Sequence, residues 1–214
     1  MAGMTAYVTE DRARPLRERK KLKTRRALAR AALRLFTENG FDATTLDELA
    51  EDAEVSKSTF SRTFPAKEAA GIEAEAELWT ACLTALEDGE LSGHVLTALH
   101  RTLAGAAAGL DPGWDERFLA TRRLIAAEPA LLRYTEHYRA QVKEQIAATL
   151  AARLRLDPDD LRLHVLAELV MTAWSLSGRA WVRRGGKGGR PALLDGFADA
   201  ISAVPASLSL AVPG

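Results

Sequence analysis

The chain has 214 residues, 47% hydrophobic and 27% charged, and a formal net charge of zero. That is long enough for one large or two small domains with a proper core, and the composition is ordinary for a soluble globular protein. Its one cysteine, Cys82, excludes an intramolecular disulfide, no run of about 18 apolar residues offers a membrane span, and no apolar run follows the early charges as in a signal peptide. A cytoplasmic location is expected.

The zero sum hides an asymmetry. Residues 12–34 carry Arg12, Arg14, Arg17, Arg19, Lys20, Lys21, Lys23, Arg25, Arg26, Arg30 and Arg34 against the single acid Glu18, whereas residues 70–214 are net negative. Such a basic block is either a solvated tail or a contact for nucleic-acid phosphates. Pro15 and the scarcity of large apolar groups predict that residues 1–20 are disordered without DNA. Residues 1–23 are read as a basic flexible arm that meets phosphates or the minor groove.

From Thr24 an amphipathic segment begins. Leu28, Ala32, Leu35 and Phe36 fall at i, i+4, i+7 and i+8, one face of a helix that closes at Asn39-Gly40. Thr45 followed three residues later by Glu48 reads as a capping box, and Leu46, Leu49, Ala50 and Ala53 give the next short helix its apolar face. After the turn at Glu54-Val55, Ser56 caps a third helix whose Phe60 and Phe64 point inward, and Pro65 stops it. Lys57, Ser58, Ser61 and Arg62 are left outward, small or basic on a face free of bulk. Three short helices with a tight turn before the last describe a helix-turn-helix, but spacing alone leaves a plain αα-hairpin in a helical bundle equally open.

The segments Ala31-Ala32-Leu33-Arg34-Leu35-Phe36, Asn39-Gly40-Phe41, Thr44-Thr45-Leu46-Asp47-Glu48-Leu49-Ala50 and Val55–Glu68 are collinear with one known pattern. Residues 24–68 resemble the DNA-binding domain of TetR-family transcriptional regulators. The resemblance implies a DNA-facing set of Thr45, Lys57, Ser58, Thr59, Ser61, Arg62, Thr63 and Lys67. Lys57 and Ser58 lie where base edges come within reach, and Thr45 and Lys67 begin helices whose N-termini attract phosphate. Three positions depart from the pattern. Glu54 stands where the family usually has glycine, which predicts a strained or reshaped turn. Ser61 and Thr63 stand where aromatic or histidine side chains usually touch DNA, so their reach is shorter.

The remainder, residues 69–206, reads as a series of helices with a small-residue tail at 207–214. Ala66 to about Asp88 is expected as one helix, shared by both domains and so a candidate lever. Leu91–Ala108 follows, then a helix from Asp111-Pro112 to Glu128, one from Pro129 to about Leu154, and one from Asp157-Pro158 to about Arg184. The tract Arg184–Pro191 is a glycine-rich loop. A last helix covers about Pro191–Val204. The apolar faces of the last two helices (Leu161, Leu166, Leu169, Val170, Ala173, Leu176 and Ala180; Leu193, Leu194, Phe197, Ile201 and Val204) suit either a homodimer seam or ordinary core. The resemblance favours the seam. Residues 124–131 and 156–161 also look like the C-terminal domain of an actinobacterial TetR branch that includes regulators of mycofactocin systems.

The fold expected is all-α, with an N-terminal three-helix helix-turn-helix domain and a C-terminal helical domain for ligand binding and dimerisation. Arg122, His137, Tyr138 and Trp174 are the candidate ligand-binding residues, chosen from the polar and aromatic groups of the middle helices. Ordinary core is the alternative for each. His94, His100, His137 and His164 have no metal-ligand spacing, and no cofactor is expected. With no P-loop, G-x-S-x-G, H-E-x-x-H or dinucleotide turn, an enzyme is not expected. The partners expected are double-stranded DNA with a palindromic operator, a small-molecule effector and a second copy of the chain. A homodimeric repressor released by its effector is the leading expectation. An architectural DNA-binding protein is the other.

Overall fold

The structure is a computed structural model that describes residues 15–212. The expectations for residues 1–14, Arg12 and Arg14 among them, lie outside the described residues. Within these residues the structure is all-α, as the patterning predicts, with ten helices where the sequence suggests nine and no strand. They divide into two compact units. One comprises the described residues up to Glu75 together with Asp111–Thr135, the other Ala76–Leu110 and the residues from Glu136 onward.

The first unit opens with α1 (Leu16–Glu38), 23 residues long. Its later turns bury Leu28, Ala32, Leu35 and Phe36, the face read from the sequence, and Ala29 and Ala31 beside it. Its first turns are exposed. This corrects the flexible arm: residues 16–23 are helical. Leu, Arg, Glu and Lys are all strong helix formers, and Glu18 accepts from Lys21 one turn on at 3.2 Å. Pro15, which lacks an N–H that a helix start could not use, directly precedes the helix.

The two short helices α2 (Leu46–Asp52) and α3 (Lys57–Thr63) have the caps expected of them. Thr45 accepts from the Glu48 backbone N–H at 3.2 Å, and the Glu48 carboxylate accepts from the Thr45 N–H at 2.7 Å. The Thr45 N–H and the Thr45 hydroxyl, both donating to it, hold the Glu48 carboxyl below its usual range. Ser56 accepts from the Thr59 N–H at 3.2 Å, and Phe60 and Phe64 are buried.

The turn between α2 and α3 is a Schellman motif. Val55 N–H donates to Ala50 O at 2.9 Å and Glu54 N–H to Glu51 O at 3.0 Å, which places Glu54 at the left-handed position with φ 54°. The strain expected there is present. A left-handed non-glycine residue costs roughly 1–2 kcal/mol, and glycine loses roughly 0.5–1 kcal/mol more chain entropy on folding. Glu54→Gly is therefore expected to stabilise the unit by about 0.5–1 kcal/mol. A urea midpoint that stays put or falls would refute the strain.

The expected single helix from Ala66 to Asp88 is two: α4 (Lys67–Gly71) and α5 (Glu73–Asp88), broken at Ile72. A Cβ on Gly71 would lie 3.0 Å from Phe36 and 3.1 Å from Leu131, so glycine permits the close approach at the break. Helix α6 (Val95–Ala108) belongs to the other unit, and the next helix of this one is α7 (Trp114–Ala127). Its Thr121 hydroxyl donates to Gly71 O at 3.3 Å and its Trp114 indole to Ala74 O at 2.8 Å. These side chains engage backbone carbonyls around the interruption.

The second unit contains α6 (Val95–Ala108), α9 (Leu161–Arg183) and α10 (Gly189–Leu208), with most of α5 and of α8 (Pro129–Leu154). The start of α6 falls later than expected, and that of α9 is set by Asp160, whose carboxylate accepts from the Arg162 N–H. Helices α9 and α10 are closely paired, and the Ser177 hydroxyl donates to Leu193 O at 2.7 Å across them. Trp174 stands edge-on to Phe197 with centroids 5.4 Å apart, and His100 lies 4.9 Å from the same phenyl ring. Arg153 donates to Leu86 O and Gly89 O at the end of α5, and Arg190 to Ala107 O and Leu110 O at the end of α6. Both cations thus serve carbonyls that have no partner inside their own helices.

Burial beside Phe197 pushes the pKa of His100 below 6.5. The unfolded chain therefore takes up a proton that the folded unit resists. The unit is at full stability above the ordinary histidine range and loses stability as pH falls below about 6.5. Urea midpoints of the wild type should fall over that interval, and His100→Asn should flatten the trend. Parallel curves for the two proteins would clear His100 of the role.

Candidate nucleic-acid interface

Helix α3 presents the surface anticipated for it. Lys57, Ser58, Ser61 and Arg62 are exposed, while Thr59 and Thr63 are half-buried. The polar groups are engaged with their own helix. Ser61 Oγ donates to Lys57 O at 3.2 Å and Thr63 Oγ1 to Thr59 O at 2.7 Å. Arg62 folds back, donating from Nε to Ser58 O at 3.1 Å and from Nη2 to Ser58 Oγ at 3.0 Å. Lys57 Nζ reaches Asp47 Oδ2 on α2 at 2.8 Å, and both side chains remain more than half exposed. An ion pair that exposed is worth at most about 1 kcal/mol, so a stronger partner can take the lysine away.

The flanking residues are more committed. The Thr45 hydroxyl belongs to the capping box. Lys67 Nζ donates to Phe41 O at 2.7 Å and Thr44 O at 3.0 Å, and stands 4.2 Å from the Phe41 ring centroid. The side chain of Lys67 thus clips the loop before α2 and serves the fold, whatever its helix end does.

Beside α3 the first turns of α1 form one wall of an open groove of about 960 Å³. Arg17, Lys20, Lys21 and Arg25 line it from α1, and Thr59 and Arg62 from α3. Helical spacing gathers four residues of the basic block on one side, which a flexible arm would not do. The signal was there: positions 17, 20–21 and 24–25 recur every three to four residues. The groove is positively lined and contiguous with the exposed face of α3. That is the electrostatic footprint of a polyanion site.

The four residues proposed for a ligand are divided between the units. Arg122 belongs to the first, where it is buried and donates to Glu75 Oε2 at 3.3 Å. His137, Tyr138 and Trp174 belong to the second. His137 is exposed with its Nε2 3.2 Å from Gln141 Nε2, Tyr138 is half-buried, and Trp174 is fully buried against Phe197. No group of three or more His, Cys, Asp or Glu residues among the described residues could hold a metal ion. No helix among them is long and apolar enough to cross a membrane.

With this geometry in place, the comparisons with known proteins are specific. Residues 28–69 match the family model described as bacterial regulatory proteins, tetR family. Residues 93–206, half of the chain, match the model described as the MftR C-terminal domain. The chain is 32% identical over 178 residues to the HTH-type transcriptional regulator TcmR of Streptomyces glaucescens, an overlap of 79% of this chain and 77% of the relative. Among solved structures, a transcriptional regulator from Rhodococcus sp. Rha1 is similar in fold, with a TM-score of 0.50 at 18% identity over 88% of this chain and 99% of the other. A TetR-family regulator from Mesorhizobium loti gives 0.48 at 22% identity over 87% and 97%.

Proposed function

The chain belongs to the TetR family of bacterial regulatory proteins and is a DNA-binding transcriptional regulator; from that premise we propose that it is a homodimeric repressor which a small molecule releases from a palindromic operator. The observation that carries this reading is the joined surface of α3 and the basic start of α1. Lys57 and Ser58 at the exposed start of α3 are the base-reading pair. Arg17, Lys20, Lys21 and Arg62 follow the phosphates.

Two-fold pairing has its own support. Leu161, Val165 and Leu176 on α9 are 77%, 55% and 50% exposed, an apolar row that a second copy would cover. Two copies of α3 then read half-sites about 34–36 Å apart. Release requires an effector that binds better to a conformation fitting the operator badly. His137 and Tyr138 are the effector contacts proposed, both in the second unit; the buried Trp174 and the Glu75-paired Arg122 are expected to serve the fold. Helix α5 starts in the DNA-binding unit and continues in the second, so it is the natural carrier of coupling. Reciprocity then requires that operator DNA weaken effector binding by the same factor, typically about 5–150-fold.

Footprinting on the DNA upstream of its own gene, repeated with candidate metabolites, tests the reading. A protected two-fold site that a metabolite abolishes supports it. Specific protection that no metabolite shifts would favour an architectural protein instead.

Lys57→Ala is expected to cost about 1–3 kcal/mol of operator affinity and to relax specificity at one position per half-site. Equal weakening on operator and on random duplex would return Lys57 to a phosphate role.

A further inference from the structure

We propose that Arg25 is a positioning residue for α3: it clamps the end of the recognition helix to the first turn of α5, and its contribution to DNA binding passes through Glu73 and not through a phosphate. Arg25 lines the basic groove and is partly exposed, so a phosphate contact is the obvious assignment. Its bonds say otherwise. Nε donates to Glu73 Oε1, and Nη2 donates to Glu73 Oε2 at 2.6 Å, a two-pronged grip. Nη1 donates to Thr63 O at 3.1 Å, and the guanidinium carbon stands 4.4 Å from the Phe64 ring centroid.

Each contact has a structural reason. Thr63 is the last residue of α3, so its carbonyl has no partner within that helix. Phe64 leaves α3 in an extended conformation, and the ring under the guanidinium fixes that exit. Glu73 is only 5% exposed and sits in the first turn of α5, where a carboxylate is favoured by the helix dipole. A buried carboxylate that loses the arginine gripping both its oxygens is strongly disfavoured. Arg25 therefore does not swing out to a phosphate without leaving Glu73 behind.

The same turn of α5 is fixed from its other side. Glu75, fully buried, takes Arg122 of α7, and Ala74 O takes the Trp114 indole. Helix α7 thus holds the turn that holds Arg25, and Arg25 holds the end of α3. The orientation of the recognition helix is set by this chain of contacts, all of it inside the first unit.

The test uses the full-length protein and the duplex that the wild type selects from a randomised pool, with affinity measured across a salt series. Arg25→Lys and Glu73→Gln are each expected to weaken binding about tenfold, within the range for residues of one ion-pair network. The double variant should be no worse than either. The slope of log K against log salt should not change, because no phosphate contact is lost. Lysine keeps the charge but cannot grip a carboxylate in two places and a carbonyl at once. Wild-type affinity in Arg25→Lys, or a slope smaller by about one per subunit in Arg25→Gln with Glu73→Gln unimpaired, would overturn the proposal in favour of a phosphate contact. If Glu73→Gln does not fold by circular dichroism, Arg25→Lys decides alone: weakened binding at unchanged slope and helicity upholds the clamp, and full affinity removes it.

Discussion

Trp174→Ala is expected to destabilise the second unit by about 3–5 kcal/mol, the usual cost of emptying a buried tryptophan site. The side chain is fully buried and makes an edge contact with Phe197 at 5.4 Å, and His100 packs against the same ring. Truncation would remove the edge contact to Phe197 that packs α9 against α10. Against a total of about 5–15 kcal/mol for a typical domain, that is a large share. Urea unfolding followed by circular dichroism measures it. The effector reading makes a different demand on the same residue. A tryptophan that lines a ligand cavity gives up little stability when removed, because the space beside it is already open. A cost below about 1 kcal/mol, with the effector response lost, would place Trp174 at the effector. The full cost, with Trp174→Phe restoring stability and response together, would make it core.

The sequence was most legible where structure is local. The capping box at Thr45 and Glu48, the Ser56 cap, the inward Phe60 and Phe64 and the exposed face of α3 all depend on residues within one or two turns of one another. Helix α8, bounded by Pro129 and ended by the left-handed Arg155, was equally plain. The break at Ile72 was not. It depends on Thr121 and Trp114, which lie 50 and 40 residues away from the carbonyls they serve. No periodicity within residues 66–88 records those bonds.

The basic block departs from expectation for a related reason. Pro15 and the scarcity of large apolar groups point to disorder up to residue 20, yet helix propensity and the partial covering of Leu22 prevail from Leu16 onward. The pairing of Arg25 with Glu73 spans 48 residues, so the basic block concealed a structural arginine among its DNA-facing ones. Arg122 and Trp174 show a limit of another kind. A cation or an indole on a helix is written the same way whether it meets a ligand, a carboxylate or a phenyl ring. Only the fold shows that Arg122 stands beside Glu75 and Trp174 beside Phe197.

Leu161→Arg combined with Val165→Arg is expected to give a folded monomer whose operator affinity is lower by about 10²–10⁴-fold. Both side chains are exposed on α9, so the change should leave the helical content of the single chain intact. They share a row with Leu169, Thr172 and Leu176, at spacings of three or four residues. The ends of the row differ in charge. Asp157 and Asp159 precede α9, while Arg179, Arg183 and Arg184 close it, all of them exposed. Two copies of α9 packed antiparallel about a two-fold axis would bring each acidic end against the partner's basic end. An arginine pair at that end of the seam would stand against the partner's basic end, a like-charge contact that is strongly disfavoured. The loss of affinity follows from linkage alone. In the dimer, the first α3 to bind holds the second near its half-site at a high effective concentration, and the monomer forfeits that gain while keeping its half-site contacts. Sedimentation and operator titration of the double variant measure both halves of the expectation. A dimer with wild-type operator affinity would move the seam away from α9. A monomer that still binds the full operator as tightly as the wild type would show that the two recognition helices never acted together.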